Sequence, residues 1–256
     1  MAVGYLSHTT YNGSGVTLLC SGLPALQEGQ SYLIMASGFN ASGTNPMSCN
    51  NGAVKVISGQ GSTGSGRNTH MASWTHDATV TSFTITFGST TGSTMAIVYV
   101  VSGTGSAVSS NVRGAVQIGT VATGVSFPTF TDVVYSGNGS SDSGGKTFNL
   151  FSASKIVGVG ASNSGWTNKA DSTSGTGTDY VSAVADGVLA WARFAPPWAA
   201  TKSATTDTGY GYMAVVMWPG PGFGPNINRD GVAAANIASV DGVPAANIAS
   251  VDGVSA

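Results

Sequence analysis

Side chains able to do chemistry are few in this chain, and their spacing decides what kind they could do. Glu28 is the only glutamate, set in the turn-like segment LQEGQ, and the other acids are ten scattered aspartates. Glycoside hydrolysis needs two carboxyl groups flanking one bond, one of them tuned as an acid. No pair here is spaced for that work. His70, His76 and Asp77 raise the question of a metal site, but His-x5-His is not a zinc-ligand spacing, and a strand running into a turn accounts for it. Serines and threonines lie near His8, His70 and His76, yet no Gly-x-Ser-x-Gly elbow stands between a strand and a helix, since TGSGR at Thr63–Arg67 reads as a loop. No nucleophile, metal or cofactor is assigned, and the chain reads as a non-enzyme. Cys20 and Cys49 are too few for a disulfide framework. They form one bridge if strand pairing brings them together, and are otherwise two separately buried thiols.

Aromatic side chains offer a different chemistry, because an exposed ring stacks on a sugar face while Asn, Asp and Ser satisfy hydroxyls. Trp166 in SNSGWTN and Trp198 in APPWAA lie in loop-like contexts, with Tyr180, Tyr210 and Tyr212 nearby in sequence. Trp166, Trp198 and Tyr180 are therefore candidate glycan contacts; the competing reading is that these rings fill a sandwich or a subunit interface. Trp74, Trp191 and Trp218 sit inside strand patterns and are expected in the core.

The elements that must carry these groups follow from composition. The chain has 256 residues, only 8% charged against a usual share of about 25%, with 41% hydrophobic residues and 37 glycines. Disorder by composition needs low hydrophobicity and high net charge, whereas the net charge is −2 and the mean hydropathy +0.16. Nine Lys and Arg spread over the whole length make no phosphate-tracking patch, which disfavours nucleic acid as a partner. MAVGYLSHTT has neither a basic nor an apolar leader region, and no run reaches the roughly 18 apolar residues of a membrane span, so a soluble protein without membrane insertion is expected.

Apolar runs are short, rich in Val, Ile, Thr, Phe and Tyr, and bounded by Gly, Ser, Asn and Thr, which predicts an all-β fold. Strands are expected near Gly15–Gly22, Ser31–Phe39, Gly52–Ser58, His70–Trp74, Thr81–Phe87 and Ser93–Gly103. SFTITF alternates with period two and should bury one face. MAIVYVV has no polar interruption and suits a central strand covered on both sides. SGQGSTGSGR and GSTTGS read as loops between strands, the first expected on the surface.

The second half repeats this plan. MAIVYVVSG (Met95–Gly103) is echoed by MAVVMWPG (Met213–Gly220), HMASWTHDA (His70–Ala78) more loosely by LAWARFAP (Leu189–Pro196), and SYLIMASGFNASG by SKIVGVGASNSG (Ser154–Gly165). Agreement among these offsets predicts two duplicated antiparallel β-sandwich domains, residues 1–105 and 106–223, with the boundary near Val101–Gly114.

After Phe223 the composition changes. GVAAANIASVD followed by GVPAANIASVD is an 11-residue repeat, with Gly231, Gly242 and Gly253 in register. Collagen would need Gly every third residue. Each unit reads as one or two helical turns over AANIAS closed by an extended VDGV corner. Residues 224–256 thus form a repeat tail whose apolar contacts are Val232, Ile237, Val240, Val243, Ile248 and Val251. A tail this small needs stacked units or a partner to bury them, most simply copies of itself in an assembly, with docking on its own sandwich as the alternative.

Paired Ser/Thr/Gly-rich sandwiches with one MAIVYVVSG-like strand per half resemble minor structural and appendage proteins of tailed bacteriophages, and the NIASVDGV-type repeat is similar to short terminal repeats on phage virion proteins. That resemblance implies a non-enzymatic virion component, assembled in the host cytoplasm, serving as a head decoration, collar or tail appendage with a role in host-surface adhesion. Its partners would be itself, as a homo-oligomer and by analogy a trimer, other virion proteins, and a host-surface glycan. The other readings of the same features are a carbohydrate-binding module of a cell-surface protein and a self-assembling extracellular fibre subunit.

Overall fold

A computed structural model describes residues 3–40, 47–63, 66–87, 91–103, 112–119, 124–127, 145–154, 156–159, 166–171, 178–187, 198–202, 210–217, 239–240, 243–244, 250–251 and 254–255. These are all-β, with antiparallel pairing throughout and no helix among them, so none of them forms a helix long and apolar enough to cross a membrane. The first large sheet has the order β1-β8-β3-β6-β5, formed by β1 (Gly4–Gly13), β3 (Gln30–Asn40), β5 (Val54–Thr63), β6 (Gly66–Thr75) and β8 (Thr91–Ser102). A small sheet, β2-β7-β4, is built from β2 (Thr17–Cys20), β4 (Ser48–Cys49) and β7 (Phe83–Thr86).

A second large sheet runs β9-β16-β11-β14-β13, from β9 (Val112–Gly119), β11 (Gly145–Ser154), β13 (Trp166–Asp171), β14 (Thr178–Gly187) and β16 (Tyr210–Met217). A second small sheet, β10-β15-β12, joins β10 (Gly124–Phe127), β12 (Ile156–Val159) and β15 (Trp198–Lys202). Adding eight to every strand number in the first two sheets reproduces the orders of the second two.

β8 shows why the first large sheet sits in the middle. Met95, Ile97, Tyr99 and Val101 face the second large sheet, while Ala96, Val98 and Val100 pack with Tyr32, Ile34, Phe83 and Ile85 toward the first small sheet. Both faces are buried, as an uninterrupted apolar run requires. Phe83 and Ile85 are buried while Thr84 and Thr86 are half-buried, the one-sided alternation expected of SFTITF. The two large sheets share one core: Leu33, Met35, Trp74 and Tyr99 on one side meet Phe148, Leu150, Met213 and Val215 on the other. The opposite face of the second large sheet is buried too, at Asn149, Phe151, Ala183, Tyr212 and Ala214.

Several expectations change. β1 carries no apolar run and escaped the sequence reading, yet it pairs with β8 from Gly4↔Ser102 to Gly13↔Thr94. The supposed loop SGQGSTGSGR is the tip of the β5–β6 hairpin, paired out to Thr63↔Gly66, and in GSTTGS the residues Thr91–Ser93 already belong to β8. Cross-strand hydrogen bonding satisfies a Gly/Ser backbone as well as a Val/Ile one, so composition alone misjudged where these strands end. By strand order β3 corresponds to β11, whereas of SKIVGVG only Ser154 belongs to β11 and Ile156–Val159 form β12 of a small sheet. LAWARFAP lies outside the described residues. β4 passes into β5 through Asn51 (φ 55°) and Gly52 (φ 72°), closed by Ala53 N–H donating to Asn50 O at 3.3 Å. Two successive left-handed residues make a type I′ turn, which asks for Asn-Gly.

Candidate functional site

The groups with chemical potential collect in the seam between the two large sheets. Register brings Ser37 on β3, His70 on β6 and Ser152 on β11 to facing positions: His70 pairs with Ser37 within its own sheet, and Ser152 pairs with Gly211. Ser37 Oγ lies 2.8 Å from Ser152 Oγ, which is hydrogen-bonded in turn to His70 Nε2 at 3.0 Å. All three residues are fully buried. Gly211 is the reason the imidazole fits, because any Cβ there would collide with its ring.

A serine hydrogen-bonded to a histidine is the opening pair of a nucleophilic triad, but this pair lacks the rest. His70 Nδ1 has no hydrogen-bond partner, so nothing orients the ring as a base or stabilises an imidazolium. Burial lowers its pKa to about 3, which leaves it neutral and a poor proton acceptor at pH 7. The arrangement therefore works as a polar lock between sheets.

A second cluster lies at the edge of the seam, where β1 meets β13. Tyr5 Oη is 2.8 Å from His8 Nδ1, and the imidazole also bonds the Lys169 backbone. Lys169 Nζ sits 4.2 Å from the centre of the Tyr5 ring, a cation–π contact. The ladder shifts register between Asn168 and Ala170, so Lys169 is the extra residue of a β-bulge; β1 has its own shift between Tyr5 and Ser7. Bulges re-aim side chains and spoil edges for further pairing. Burial first, and then the Lys169 charge, holds the His8 pKa below its usual value. Between the clusters Tyr99 Oη meets Ser182 Oγ at 2.5 Å, Ser182 Oγ donates to Asn149 O, and Asn12 Nδ2 donates to Tyr180 Oη at 3.5 Å.

The residues singled out from sequence are dispersed. Tyr180 is 7% exposed in the shared core, leaving its ring no free face for a sugar. Trp166 and Trp198 begin strands β13 and β15 instead of occupying loops, and Trp166 is half-buried. Trp74 is core, as expected; Trp191 and Trp218 lie outside the described residues. His70 is sealed and His76 exposed, so they do not share a metal, and Asp77 instead accepts from Thr79 at 2.9 and 2.7 Å. No group of three His, Cys, Asp or Glu with metal-binding placement occurs among the described residues.

Cys20 and Cys49 are free, on strands flanking β7, where Cys20 pairs with Phe83 and Cys49 with Ile85. Strands two apart in a sheet lie about 9–10 Å from each other, beyond disulfide reach. In the tail, Ser239↔Pro244 with Val240↔Val243 and Ser250↔Ser255 with Val251↔Val254 form two hairpins. Ser239 and Ser250, which close the expected AANIAS helical turns, are strand residues; the rest of those turns, with Val232, Ile237 and Ile248, lies outside the described residues.

Sequence reading missed the seam because it is assembled by register between strands far apart in the chain. The one local signal was polar: His70 and Ser37 interrupt otherwise apolar strands on the face that meets the second sheet.

No family model, curated protein or solved structure matches this chain.

Proposed function

We propose that the chain is a non-enzymatic structural subunit of a bacteriophage particle, a head decoration, collar or tail appendage. It consists of a tandem duplication of an eight-stranded sandwich followed by a repeat tail that attaches it. The observation that carries the duplication is the strand order, which recurs with a shift of eight through both kinds of sheet. Contacts across the seam obey the same exchange. β5 lies against β9 and β1 against β13; β6 against β16 and β8 against β14; β3 against β11. Shifting by eight converts each pair into its companion and maps the last onto itself, the relation a pseudo-two-fold axis between β3 and β11 gives, with β5 and β9 approaching far more closely than β1 and β13. Such an arrangement is a homodimer made in one chain, with the self-complementary patch of a two-fold interface.

The structural role is supported by where the polar chemistry sits, since the Ser152–His70 pair is sealed in the core. Scarcity of charge suits surfaces buried between many copies. In the tail the cross-strand pairs Val240–Val243 and Val251–Val254 recur at an 11-residue interval, and a two-stranded ribbon alone is marginal in water, which supports a tail that needs a surface to rest on. That surface belongs to further copies of the chain or to another virion protein. Particles from the source culture should label with antibody against the chain, and a chain lacking residues 224–256 should fold but fail to incorporate. Truncated protein incorporated at full occupancy, or particles free of the chain, would defeat the proposal. The adhesive role rests on half-buried Trp166 in an edge strand, and a glycan array with full-length protein tests it.

A further inference from the structure

The chain has three histidines, and two of them, His8 and His70, stand in the seam between the large sheets, each bonded to the opposite sheet. We propose that this pair makes the seam an acid-opened joint: protonation of His8 and His70 separates the two large sheets while each sheet keeps its own strand pairing.

The geometry carries this in three steps. His70 has no room and no counter-charge for an imidazolium. It lies against Gly211 with Ser152 as its only described polar contact, and Ser152 is already engaged with Ser37. From the elements packed on β6, the titratable residues are Tyr32, Lys55, Arg113, Tyr210 and Tyr212. Tyr32 packs toward the small sheet, and Lys55 pairs with Ser73 and Tyr212 with Phe151, one step off the positions that meet across the seam; Arg113 and Tyr210 hold the register positions opposite Val216 and Ala153.

His8 faces Tyr5, Tyr99 and the cationic Lys169, a charge that opposes a second positive charge beside it. Cys20 on neighbouring β2 belongs to the other core cluster, and Tyr11 is bonded to Ser21 O. On β13 and β14, Asp171 is in register with Val181, Asp179 with Ala153 and Asp186 with Lys146. The charge that bears on His8 is that of Lys169, and burial alone bears on His70. Finally, His70 regains water once the sheets part and half-buried His8 gains more of it, so the open state binds protons more readily than the closed one.

The direction follows by linkage. Both folded-state pKa values are lowered, so the closed seam keeps its full stability above the ordinary histidine value near 6.5 and loses it as pH falls below that. The full chain should show a melting temperature that drops on the order of 5–10 °C between pH 7 and pH 5. The double variant H8Q/H70Q should lose most of that drop, and a drop of wild-type size in the variant would overturn the proposal. Should the variant not fold, the wild-type protein decides. Histidine NMR and amide exchange recorded together should show His70 protonating only as Met95–Val101 side-chain contacts with the second sheet are lost. Protonation of His70 with those contacts intact, or unfolding of both sheets in the same step, would refute an opening joint.

Discussion

The ring of His70 occupies the space that a side chain at position 211 would need: a Cβ built on Gly211 falls 1.8 Å from His70 Cε1. Neither residue can change size alone. Gly211→Ala should cost about 3 kcal/mol or more through overpacking, read by denaturant melts. Removing the ring in the pair Gly211→Ala with His70→Ala should recover part of that loss. Additive costs in the pair would show that the two positions do not share space.

The Ser37 and Ser152 hydroxyls, 2.8 Å apart across the seam, mark a place for a covalent staple. Ser37→Cys with Ser152→Cys should oxidise to a disulfide closing a long loop, worth about 5 kcal/mol at most, and raise the melting temperature under non-reducing conditions. Mass spectrometry of the unreduced peptide pair checks the bond. A failure to form it in folded protein would mean the sheets sit further apart than described.

Tyr99→Phe removes the hydroxyl that meets Ser182 and leaves the ring packed on Phe148, whose centroid is 4.9 Å away. Ser182 keeps its bond to Asn149 O, so no donor is stranded. A loss of about 1 kcal/mol is expected in urea melts, against about 4 kcal/mol for Tyr99→Ala, which also opens a cavity.

Burial pushes the thiols of Cys20 and Cys49 up to about 12, Cys20 further by the nearness of Cys49. Since the thiolate is the reactive form, neither should react with a thiol reagent at pH 8 in native protein. Both should react promptly in denaturant. Fast labelling of the native chain would place at least one sulfur in solvent.

Where a strand is apolar on both faces or alternates strictly, its neighbours can be read from sequence, and MAIVYVV and SFTITF behave that way. β1 could not be read so, because GYLSHTTYNG is an edge strand whose residues are all exposed or half-buried. The hairpin tip of β5 and β6 was lost for a related reason: backbone pairing, which any residue supplies, carries it. The candidate site was least legible of all. His70, Ser152 and Gly211 are separated by 82 and 59 positions, and only the register of three ladders makes them neighbours.

The pairing of Gly4 with Ser102 sets a schedule for synthesis. The first large sheet cannot close until its last strand has left the ribosome, so the amino-terminal half is a folding problem dominated by non-local contacts, and slow for that reason. Even then Leu33, Met35, Tyr99 and their neighbours have no cover until Met213 and Val215 arrive. At the usual elongation rate that interval lasts roughly 5–25 s. For that time each nascent chain shows its neighbours on the polysome the sticky, self-complementary face that the finished molecule hides, and two unfinished chains can satisfy it with each other.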